Sequence, residues 1–326
     1  MINADYDLLA CGLFFNDLAF SGLPAGGPVA GHELRTGPYE QSPGGIANSS
    51  IAARRLGLDT CMVTDCGDDP MTTGALTALA DEGIDTCHVL VHEGWQTPLT
   101  VILNYDGDRA MVTSETAHPG PCVMRARHAP SARVAITHLQ PFPMPWLAEA
   151  TARGTQVIGD IGWDESGRWN LADLPDLERC TVFTPNEVEA VNYTRTENTG
   201  QALAALAEIV PMPVVTLGPR GCISIDARTG EQARVPALGV DVVDTCGAGD
   251  VFSAGLAAVL TTDWPLADKL RFATLVSTVT VSRLGGATTA PDIREMQGWV
   301  RDMPRDEQRD YGFVLDLPLS MAGGEA

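Results

Sequence analysis

Small residues followed by a carboxylate open an apolar stretch near residue 247, and this combination of residue types could do chemistry. Glycine weakens a helix, but at a helix start small residues let an anion approach N–H groups that have no helical partner. Gly247, Ala248 and Gly249 therefore predict an anion site, and Asp250 is suited to accept a proton from an attacking hydroxyl. A buried helical face continues the stretch, formed by Phe252, Leu256, Val259 and Leu260.

A purely structural interpretation of the same residues stays open. Asp250 is favourable at a helix N-terminus because of its charge, and glycines also form tight turns. The segment alone does not decide between a turn and a phosphate site.

The chain contains a single lysine, Lys269, which lies in a helix-like stretch. This excludes a G-x-x-x-x-G-K-[ST] phosphate loop and the lysine of protein kinases, and it argues against a Schiff-base mechanism. The G-x-S-x-G motif is absent as well. A protein of this composition that handles phosphate must use backbone N–H groups, arginines and a metal ion.

Composition narrows the class of protein further. The 326 residues carry a net charge of −21 and are 44% hydrophobic, which predicts a globular chain that repels nucleic acid and anionic membranes. No apolar run is long enough to span a membrane, and no basic region precedes the first apolar stretch, so we expect a cytoplasmic protein. The eight cysteines form no C-x-x-C pair and predict buried free thiols. His88 and His92 share one face of a strand-like run, but no third ligand is evident, so zinc is not expected there.

Strand-like and helical runs alternate along the chain. They predict an α/β fold with a doubly wound, mainly parallel sheet flanked by helices on both faces. The strand-like runs are DLLACGLFF, TCMVTDCG, LTVILNY, RVAITHLQ, TQVIGDIG, CTVFTPN, PVVTLG and CISIDA. The helical runs are ANSSIAARRLG, MTTGALTALADEG, PWLAEATARG, TGQALAALAEIV, AGDVFSAGLAAVL and ADKLRFATLVSTVTVSRLG.

Two stretches, residues 13–43 and about 95–115, break this alternation. The second predicts a hairpin that turns at Asp106-Gly107, and together the two stretches predict a small β lid over one end of the sheet. We expect one domain over residues 1–302. The acidic segment 303–326 is expected to be a peripheral and partly mobile tail.

The segment Asp244-Thr245-Cys246-Gly247-Ala248-Gly249-Asp250-Val251-Phe252 resembles the D-T-x-G-A-G-D-x-F signature of the ribokinase-like (PfkB) carbohydrate kinases at every fixed position. The resemblance implies that Gly247, Ala248 and Gly249 form the anion hole for the γ-phosphate of ATP. It also implies that Asp250 is the catalytic base, and that a monovalent cation such as K⁺ lies near Asp244.

Two motifs near the N-terminus resemble the acceptor site of the same family. Pro43-Gly44-Gly45-Ile46-Ala47-Asn48 is one residue shorter than the common G-G-x-x-A-N form, so whether Gly44 or Gly45 contacts the acceptor stays open. Asn48 offers both a donor and an acceptor to a sugar hydroxyl. The run from Gly12 to Asp17 resembles G-x-x-x-x-D, whose aspartate accepts hydrogen bonds from sugar hydroxyls.

Two further motifs resemble the nucleotide and metal sites of the family. In Thr184-Pro185-Asn186-Glu187-Val188-Glu189, the fixed members Asn186 and Glu189 would organise Mg²⁺ and its waters, although Asn186 is also suited to cap a helix. Val215 to Gly221 resembles V-T-L-G-x-x-G, which would place Thr216, Gly218 and Gly221 beside the nucleotide. Arg220 either offsets phosphate charge or is solvated. Relatives often carry an asparagine near the adenine, where this chain reads Phe272 to Ser277.

The resemblance implies an ATP-dependent kinase that phosphorylates a hydroxyl of a small sugar, with Mg²⁺ and a homodimer formed through the lid. A nucleoside acceptor is an alternative, because Phe14, Phe15 and Trp95 could stack on a base or merely pack. A non-catalytic sugar- or nucleotide-binding sensor on the same fold is a second alternative. Asp250 argues against the sensor, since a binder has no need of an acid beside a phosphate hole.

Overall fold

The computed structural model describes residues 4–24, 26–105, 108–120, 122–164 and 166–321. Its strands are β1 (Tyr6–Cys11), β2 (Phe14–Phe20), β3 (Tyr39–Gly45), β4 (Thr60–Val63), β5 (Asp65–Gly67), β6 (Leu90–His92), β7 (Leu99–Tyr105), β8 (Asp108–Ser114), β9 (Ala132–His138), β10 (Gln156–Asp160), β11 (Val182–Phe183), β12 (Met212–Thr216), β13 (Cys222–Ile225) and β14 (Gln232–Val235). Its α-helices are α1 (Ile46–Arg55), α2 (Pro70–Asp81), α3 (Pro145–Ala152), α4 (Glu187–Thr194), α5 (Thr199–Ala207), α6 (Ala248–Val259), α7 (Leu266–Val281), α8 (Ile293–Asp302) and α9 (Arg305–Tyr311).

The main sheet has eight strands in the order β14-β13-β12-β11-β10-β9-β1-β4. The strands from β12 to β4 run parallel, and β12, β13 and β14 pair antiparallel at the other edge. The mainly parallel sheet predicted from the sequence is therefore confirmed. The chain leaves β1 toward β4 and later returns to β9 on its other side, so the order reverses between β1 and β9. Ligands of open α/β sheets bind at such a point.

Both faces of the main sheet are covered by helices. Leu8 and Ala10 of β1 pack with α1, α6 and α7, whereas Leu9 and Cys11 pack with α3 and α5. Successive side chains of a strand point to opposite faces, so a strand buried on both sides reads as a continuous apolar run. This confirms the doubly wound arrangement.

A second sheet, which we call the lid sheet, has the strand order β3-β2-β7-β8. Its strands come from the two stretches that break the α/β alternation. The apolar run DLLACGLFF supplies both sheets, because β1 ends at Cys11 and β2 begins at Phe14. β7 and β8 pair antiparallel, and the expected turn at Asp106-Gly107 lies outside the described residues.

The segment after residue 303 packs against the core. Tyr311, Val314, Leu317 and Met321 are each at most 9% exposed, and the Met321 N–H donates to the Leu56 carbonyl at 3.0 Å. The expectation of a peripheral tail therefore does not hold for the described residues up to 321. The segment around α9 is acidic in sequence, but four of its apolar side chains are buried and pack on one face of the core.

Among the described residues, none of the helices has the length and apolar character needed to cross a bilayer. The helical and strand-like runs identified in the sequence did not include α4, α8 or β14. α8 is strongly amphipathic, and a reciprocal cap between Asp292 and Glu295 sets its start.

Candidate active site

The glycine turn before α6 is shaped by its neighbours and leaves open space at one position. Gly247 has φ 68°, and a Cβ there would lie 3.1 Å from the Asn48 side chain, so the fold requires glycine. A Cβ at Gly249 would meet no described atom within 4 Å. The fold therefore gains nothing locally from glycine at 249, which costs about 1 kcal/mol against alanine in a helix. Because Gly249 has no side chain, the space beside the helix start stays open.

Three N–H groups at this helix start were predicted to form an anion site. The first turn of a helix leaves its N–H groups without helical partners. The Ala248 N–H makes a long hydrogen bond of 3.3 Å to the Thr245 carbonyl, and its helix position is N1, with Gly249 at N2. Asp250 lies in the same first turn, at a helix start of the kind whose N–H groups can bind an anion.

Asp250 is held by helix α1 while its carboxylate stays accessible. The Asn48 Nδ2 donates to Asp250 Oδ2 at 3.0 Å, and the Ser49 hydroxyl donates to the Asp250 carbonyl at 3.2 Å. The Asp250 side chain is 20% exposed. Asn48 is thus brought to both Asp250 and Gly247, although the sequence linked it only to the acceptor.

His138 faces Asp250 and was not singled out from the sequence. It ends β9, next to the point where the strand order reverses, and its Nε2 lies 3.8 Å from Asp250 Oδ1. The Leu13 N–H donates to Nδ1 at 3.2 Å, so the ring proton belongs on Nε2. Burial opposes a charge on His138, but Asp250 and then Asp160 outweigh it and raise its pKa. Gly12 is required here, since a Cβ would lie 2.8 Å from Nδ1.

Asp160, the last residue of β10, is a further carboxylate of the site that the sequence did not suggest. It pairs in register with His138 on the neighbouring strand. Burial and the charge of Asp250 raise its pKa to about 7. A polar residue at the carboxyl end of a central strand is the signal that could have found both residues.

Asp17 lies on β2 with its carboxylate directly over Gly44. A Cβ at Gly44 would be 2.1 Å from Asp17 Oδ2, so glycine is needed there. Gly45 has a different reason: it has φ 61°, and a Cβ would lie 2.3 Å from the Leu13 carbonyl oxygen. Burial, followed by the charges of Asp250 and Asp244, raises the pKa of Asp17 to about 7.

Asp244 is only 2% exposed and its oxygens accept backbone N–H groups. Oδ1 accepts from Cys246 at 2.9 Å, and Oδ2 accepts from Gly285 at 3.2 Å and Gly286 at 3.1 Å. The side chain therefore joins the start of the glycine turn to the loop after α7.

Asn186 and Glu189 form a capping box at the start of α4. Asn186 Oδ1 accepts from the Glu189 N–H at 3.0 Å, and Glu189 Oε2 accepts from the Asn186 N–H at 2.8 Å. Burial, with a smaller contribution from the charge of Asp160, raises the pKa of Glu189 to about 8 although the bonds from Asn186 oppose the shift. Buried oxygen donors that repel one another, as Glu189 and Asp160 do, suit a hard cation such as Mg²⁺.

The segment after β12 lies beside this cap. Thr216 forms a bridge with Asn186. Gly218 and Gly221 have φ 56° and 86°, and a Cβ at Gly221 would lie 1.9 Å from the Val235 carbonyl oxygen. The backbone conformation therefore favours glycine at both positions. Arg220 is solvent-exposed, with 55% of its side chain accessible, and it forms a short ion pair with Glu187.

Arg109 of β8 connects the lid sheet to the glycine turn. Its Nη1 donates to the Thr245 carbonyl at 2.9 Å and, in a short contact, to the Thr245 hydroxyl. Thr245 directly follows Asp244 and lies two residues before Gly247. The sequence gave no signal for this contact, which joins residues 136 positions apart.

The chain is similar to known proteins over most of its length. Residues 27–293 match the family model described as pfkB family carbohydrate kinase. The chain is 24% identical to a ribokinase of Haemophilus influenzae over 282 residues, which are 81% of this chain and 89% of that protein. It is 28% identical to a ribokinase of Schizosaccharomyces pombe over 294 residues, 84% and 91% of the two chains. The structure of an Arabidopsis thaliana ribokinase complexed with ribose and ATP superposes with a TM-score of 0.71 at 20% identity, covering 96% and 99%.

Proposed function

Because this chain belongs to the pfkB family of carbohydrate kinases, we propose that it transfers the γ-phosphoryl group of ATP to a hydroxyl of a small sugar. One observation carries the proposal: Asp250 lies in the first turn of α6, beside an open glycine position, and Asn48 orients its carboxylate at 3.0 Å. A base beside an anion site is the arrangement that phosphoryl transfer to a hydroxyl requires. Asp250 takes the proton of the attacking hydroxyl as the new bond to phosphorus forms.

The acceptor is held by Asp17, Gly44, Gly45 and Asn48. The Asp17 carboxylate is buried among other negative charges, which is why its pKa is raised to about 7. Hydroxyl groups of a sugar can donate to it and replace the solvation that burial removes. Gly44 is the glycine that lies against this carboxylate, so we assign the closer approach of the acceptor to Gly44.

The transferred group is received at the start of α6. Backbone N–H groups at Gly247, Ala248 and Gly249 are fixed before substrate binds, and they stabilise negative charge that develops on the phosphoryl oxygens. His138 carries its Nε2 proton toward Asp250 and stabilises the negative carboxylate before the proton is taken. Thr216, Gly218, Gly221 and Asn186 border the nucleotide in this proposal.

The metal requirement follows from the oxygen donors around α4. Glu189 would hold Mg²⁺ directly or through water, with Asn186 contributing through water, and Asp160 adds a nearby negative charge. When bound, the ion would supply positive charge that offsets the negative charge of the phosphates. A K⁺ ion near Asp244 would raise activity by acting on the turn that this residue already fixes through backbone hydrogen bonds.

The lid sheet supplies cover for the site and a surface for a second copy of the chain. The Arg109 contact with Thr245 brings the sheet against the glycine turn, and exclusion of water there would keep ATP from hydrolysis. Tyr39, Met111 and Val112 are each more than half exposed on the lid strands. We therefore propose a homodimer through the lid, which size-exclusion chromatography with light scattering tests directly.

Aromatic side chains near the acceptor favour a sugar over a nucleoside. Phe14 is 2% exposed and belongs to the core. Trp95 packs against His92 and His118 with ring centroids 5.7 and 5.0 Å away. Of the three aromatic side chains considered for stacking on a base, Phe14 and Trp95 are thus engaged in protein contacts, and Phe15 of β2 is half-buried.

The test is ADP release from ATP and Mg²⁺ with a panel of sugars, sugar phosphates and nucleosides, with the product identified by phosphorus NMR. We expect turnover on a sugar and a new phosphate monoester on one of its hydroxyls. Turnover on a nucleoside alone would show that the acceptor is a nucleoside and not a sugar. Tight ATP binding without turnover on any acceptor would favour the sensor and overturn the proposal.

A further inference from the structure

A cluster of metal-ligand side chains lies where the chain returns from the lid sheet to the main sheet. Asp65, His118 and Cys122 each offer a ligand atom, and these atoms all lie within 4.8 Å of one another. Asp65 begins β5, directly after the edge strand β4. His118 and Cys122 lie between β8 and β9. The three residues therefore connect the edge of the main sheet to the return segment of the lid.

The spacing of two of these ligand atoms suits a shared ion. His118 Nε2 lies 3.5 Å from Asp65 Oδ1, which is longer than a good hydrogen bond. Two ligand atoms bound at about 2.1 Å to one tetrahedral ion lie about 3.4 Å apart. An ion between the two side chains would therefore require little rearrangement.

The hydrogen bonds of His118 point to the same conclusion. Its Nδ1 lies 2.8 Å from the Gly120 carbonyl oxygen, which can only accept, whereas the Gly120 N–H is farther away at 3.3 Å. The proton of the neutral ring therefore belongs on Nδ1, and Nε2 presents a lone pair to the Asp65 carboxylate. A cation bound between these two facing acceptors would satisfy both, and a histidine with Nδ1 bonded to a carbonyl is a common metal ligand.

Asp65 is itself fixed and largely removed from water. Its side chain is 7% exposed, Oδ2 accepts from the Val123 N–H at 2.7 Å, and His92 Nε2 lies 2.8 Å from Oδ1. His92 is thus placed to donate to the carboxylate and hold it in position, as outer-shell residues of metal sites do. The ring centroids of Trp95 and His118 lie 5.0 Å apart, so Trp95 packs beside this ligand.

We propose that Asp65, His118 and Cys122 bind a divalent ion of the Zn²⁺ class, with His92 as the positioning residue of Asp65. A carboxylate, an imidazole and a thiolate together suit Zn²⁺ better than Mg²⁺, which prefers oxygen ligands alone. Binding breaks the S–H bond of Cys122, forms a metal–sulfur bond and releases the proton to solvent. The sequence showed His92 without a third ligand, because the missing partners lie more than twenty residues along the chain. The bound ion would fasten the return segment of the lid to the main sheet.

The test is titration of the full chain, without an affinity tag, with Co²⁺ in the presence of excess Mg²⁺. Mg²⁺ occupies oxygen sites such as that of the kinase, so the Co²⁺ signal reports the mixed-ligand site. We expect one Co²⁺ per chain, a thiolate-to-metal charge-transfer band and the visible absorption of tetrahedral Co²⁺. Zn²⁺ should displace the Co²⁺ and raise the melting temperature by several degrees.

Variants separate this site from other thiols and histidines. Cys122→Ser should abolish the charge-transfer band, His118→Ala should weaken binding at least about 100-fold, and His92→Ala should weaken it about 10- to 100-fold. Cys87→Ser and His88→Ala remove an exposed thiol and an exposed histidine nearby and should leave affinity unchanged. A missing charge-transfer band in the wild type, equal affinity in His118→Ala, or loss of the band in Cys87→Ser would each overturn the proposal.

Discussion

Asp244 and Asp250 belong to one short segment, yet the structure gives their carboxylates opposite surroundings. Asp244 is 2% exposed and accepts three backbone N–H groups from two loops. Asp250 has a side chain that is 20% exposed; among the described residues Asn48 donates to its Oδ2, and His138 Nε2 lies 3.8 Å from its Oδ1. Both oxygens of the Asp244 carboxylate accept backbone N–H groups, whereas Asp250 Oδ1 accepts no backbone N–H group among the described residues and can accept a proton.

Two aspartates of one motif therefore have different structural surroundings and are expected to have different roles. Asp244 fixes the loop from which the glycine turn begins, and Asp250 stands at the end of that turn. An aspartate that saturates its acceptors with N–H groups stabilises structure, and one that keeps an open lone pair can act as a base. Substitutions at the two positions should therefore affect different measurable quantities.

The largest expected effect is that of Asp250→Asn on turnover. Asparagine keeps an oxygen for Asn48 Nδ2 but cannot take a proton, so kcat should fall about 10³-fold. The free energy of unfolding should change by less than about 0.5 kcal/mol. Asp241→Asn, at an exposed aspartate of the same segment, is the matched control. Steady-state kinetics and urea denaturation measure the two quantities, and an equal loss of kcat in the control would refute the distinction.

Asp17→Asn should mainly weaken binding of the acceptor. The acceptor KM should rise about 10- to 100-fold, as expected for loss of a charged hydrogen-bond acceptor, while the KM for ATP stays nearly constant. Glu40→Gln, at an exposed position on the same lid sheet, should change neither value. A rise in the KM for ATP alone would place Asp17 elsewhere in the reaction.

The same variant carries a pH dependence of stability. The pKa of Asp17 is about 7 in the folded chain against an ordinary 3.8, so between these values the folded chain holds a proton that the unfolded chain has released. Stability therefore falls as pH rises through this window. Asp17→Asn removes that loss and should gain on the order of 4 kcal/mol over wild type at pH 8 relative to pH 4. Denaturation curves at both pH values give the difference, and parallel pH profiles would contradict the shift.

Asp244→Asn should act chiefly on stability. It keeps one acceptor oxygen but removes the charge from three N–H contacts, which should cost about 1–3 kcal/mol of unfolding free energy. We expect kcat to fall only about 10-fold, through looser placement of the turn. A variant that loses as much activity as Asp250→Asn at full stability would show that the comparison is mistaken.

The smallest expected effect is that of Arg109→Met in the lid sheet. Loss of its contact with Thr245 should lower kcat/KM by about fivefold, the worth of about one hydrogen bond. Arg35→Met, at an arginine that is 86% exposed, serves as the control. A change larger than that of Asp244→Asn would make the lid contact more important than the loop that Asp244 fixes.

Features that depend on local sequence could be predicted. The main sheet was predictable because strands buried on both faces read as apolar runs. The glycine turn was predictable because glycine, which weakens a helix, directly precedes a buried helical face. α9 could not be recognised, since its acidic sequence hides the buried Tyr311.

Features that depend on chain-distant contacts could not be predicted. His138 reaches Asp250 only because β9 lies beside β1, and Asp244 is saturated only because the loop at Gly285 returns to it. The capping box at Asn186 was suggested by its residue types, whereas the approach of the Asp160 charge to Glu189 depends on where the fold places β10 and α4, which spacing does not encode.

The most direct test of the central claim is the single-turnover rate of phosphoryl transfer, measured by rapid quench with saturating ATP, Mg²⁺ and the accepted sugar. Wild type, Asp250→Asn and Asp244→Asn are compared at one pH. The account predicts that Asp250→Asn slows the chemical step about 10³-fold and that Asp244→Asn slows it about 10-fold or less. A rate for Asp250→Asn within a few-fold of wild type would contradict the assignment of Asp250 as the base.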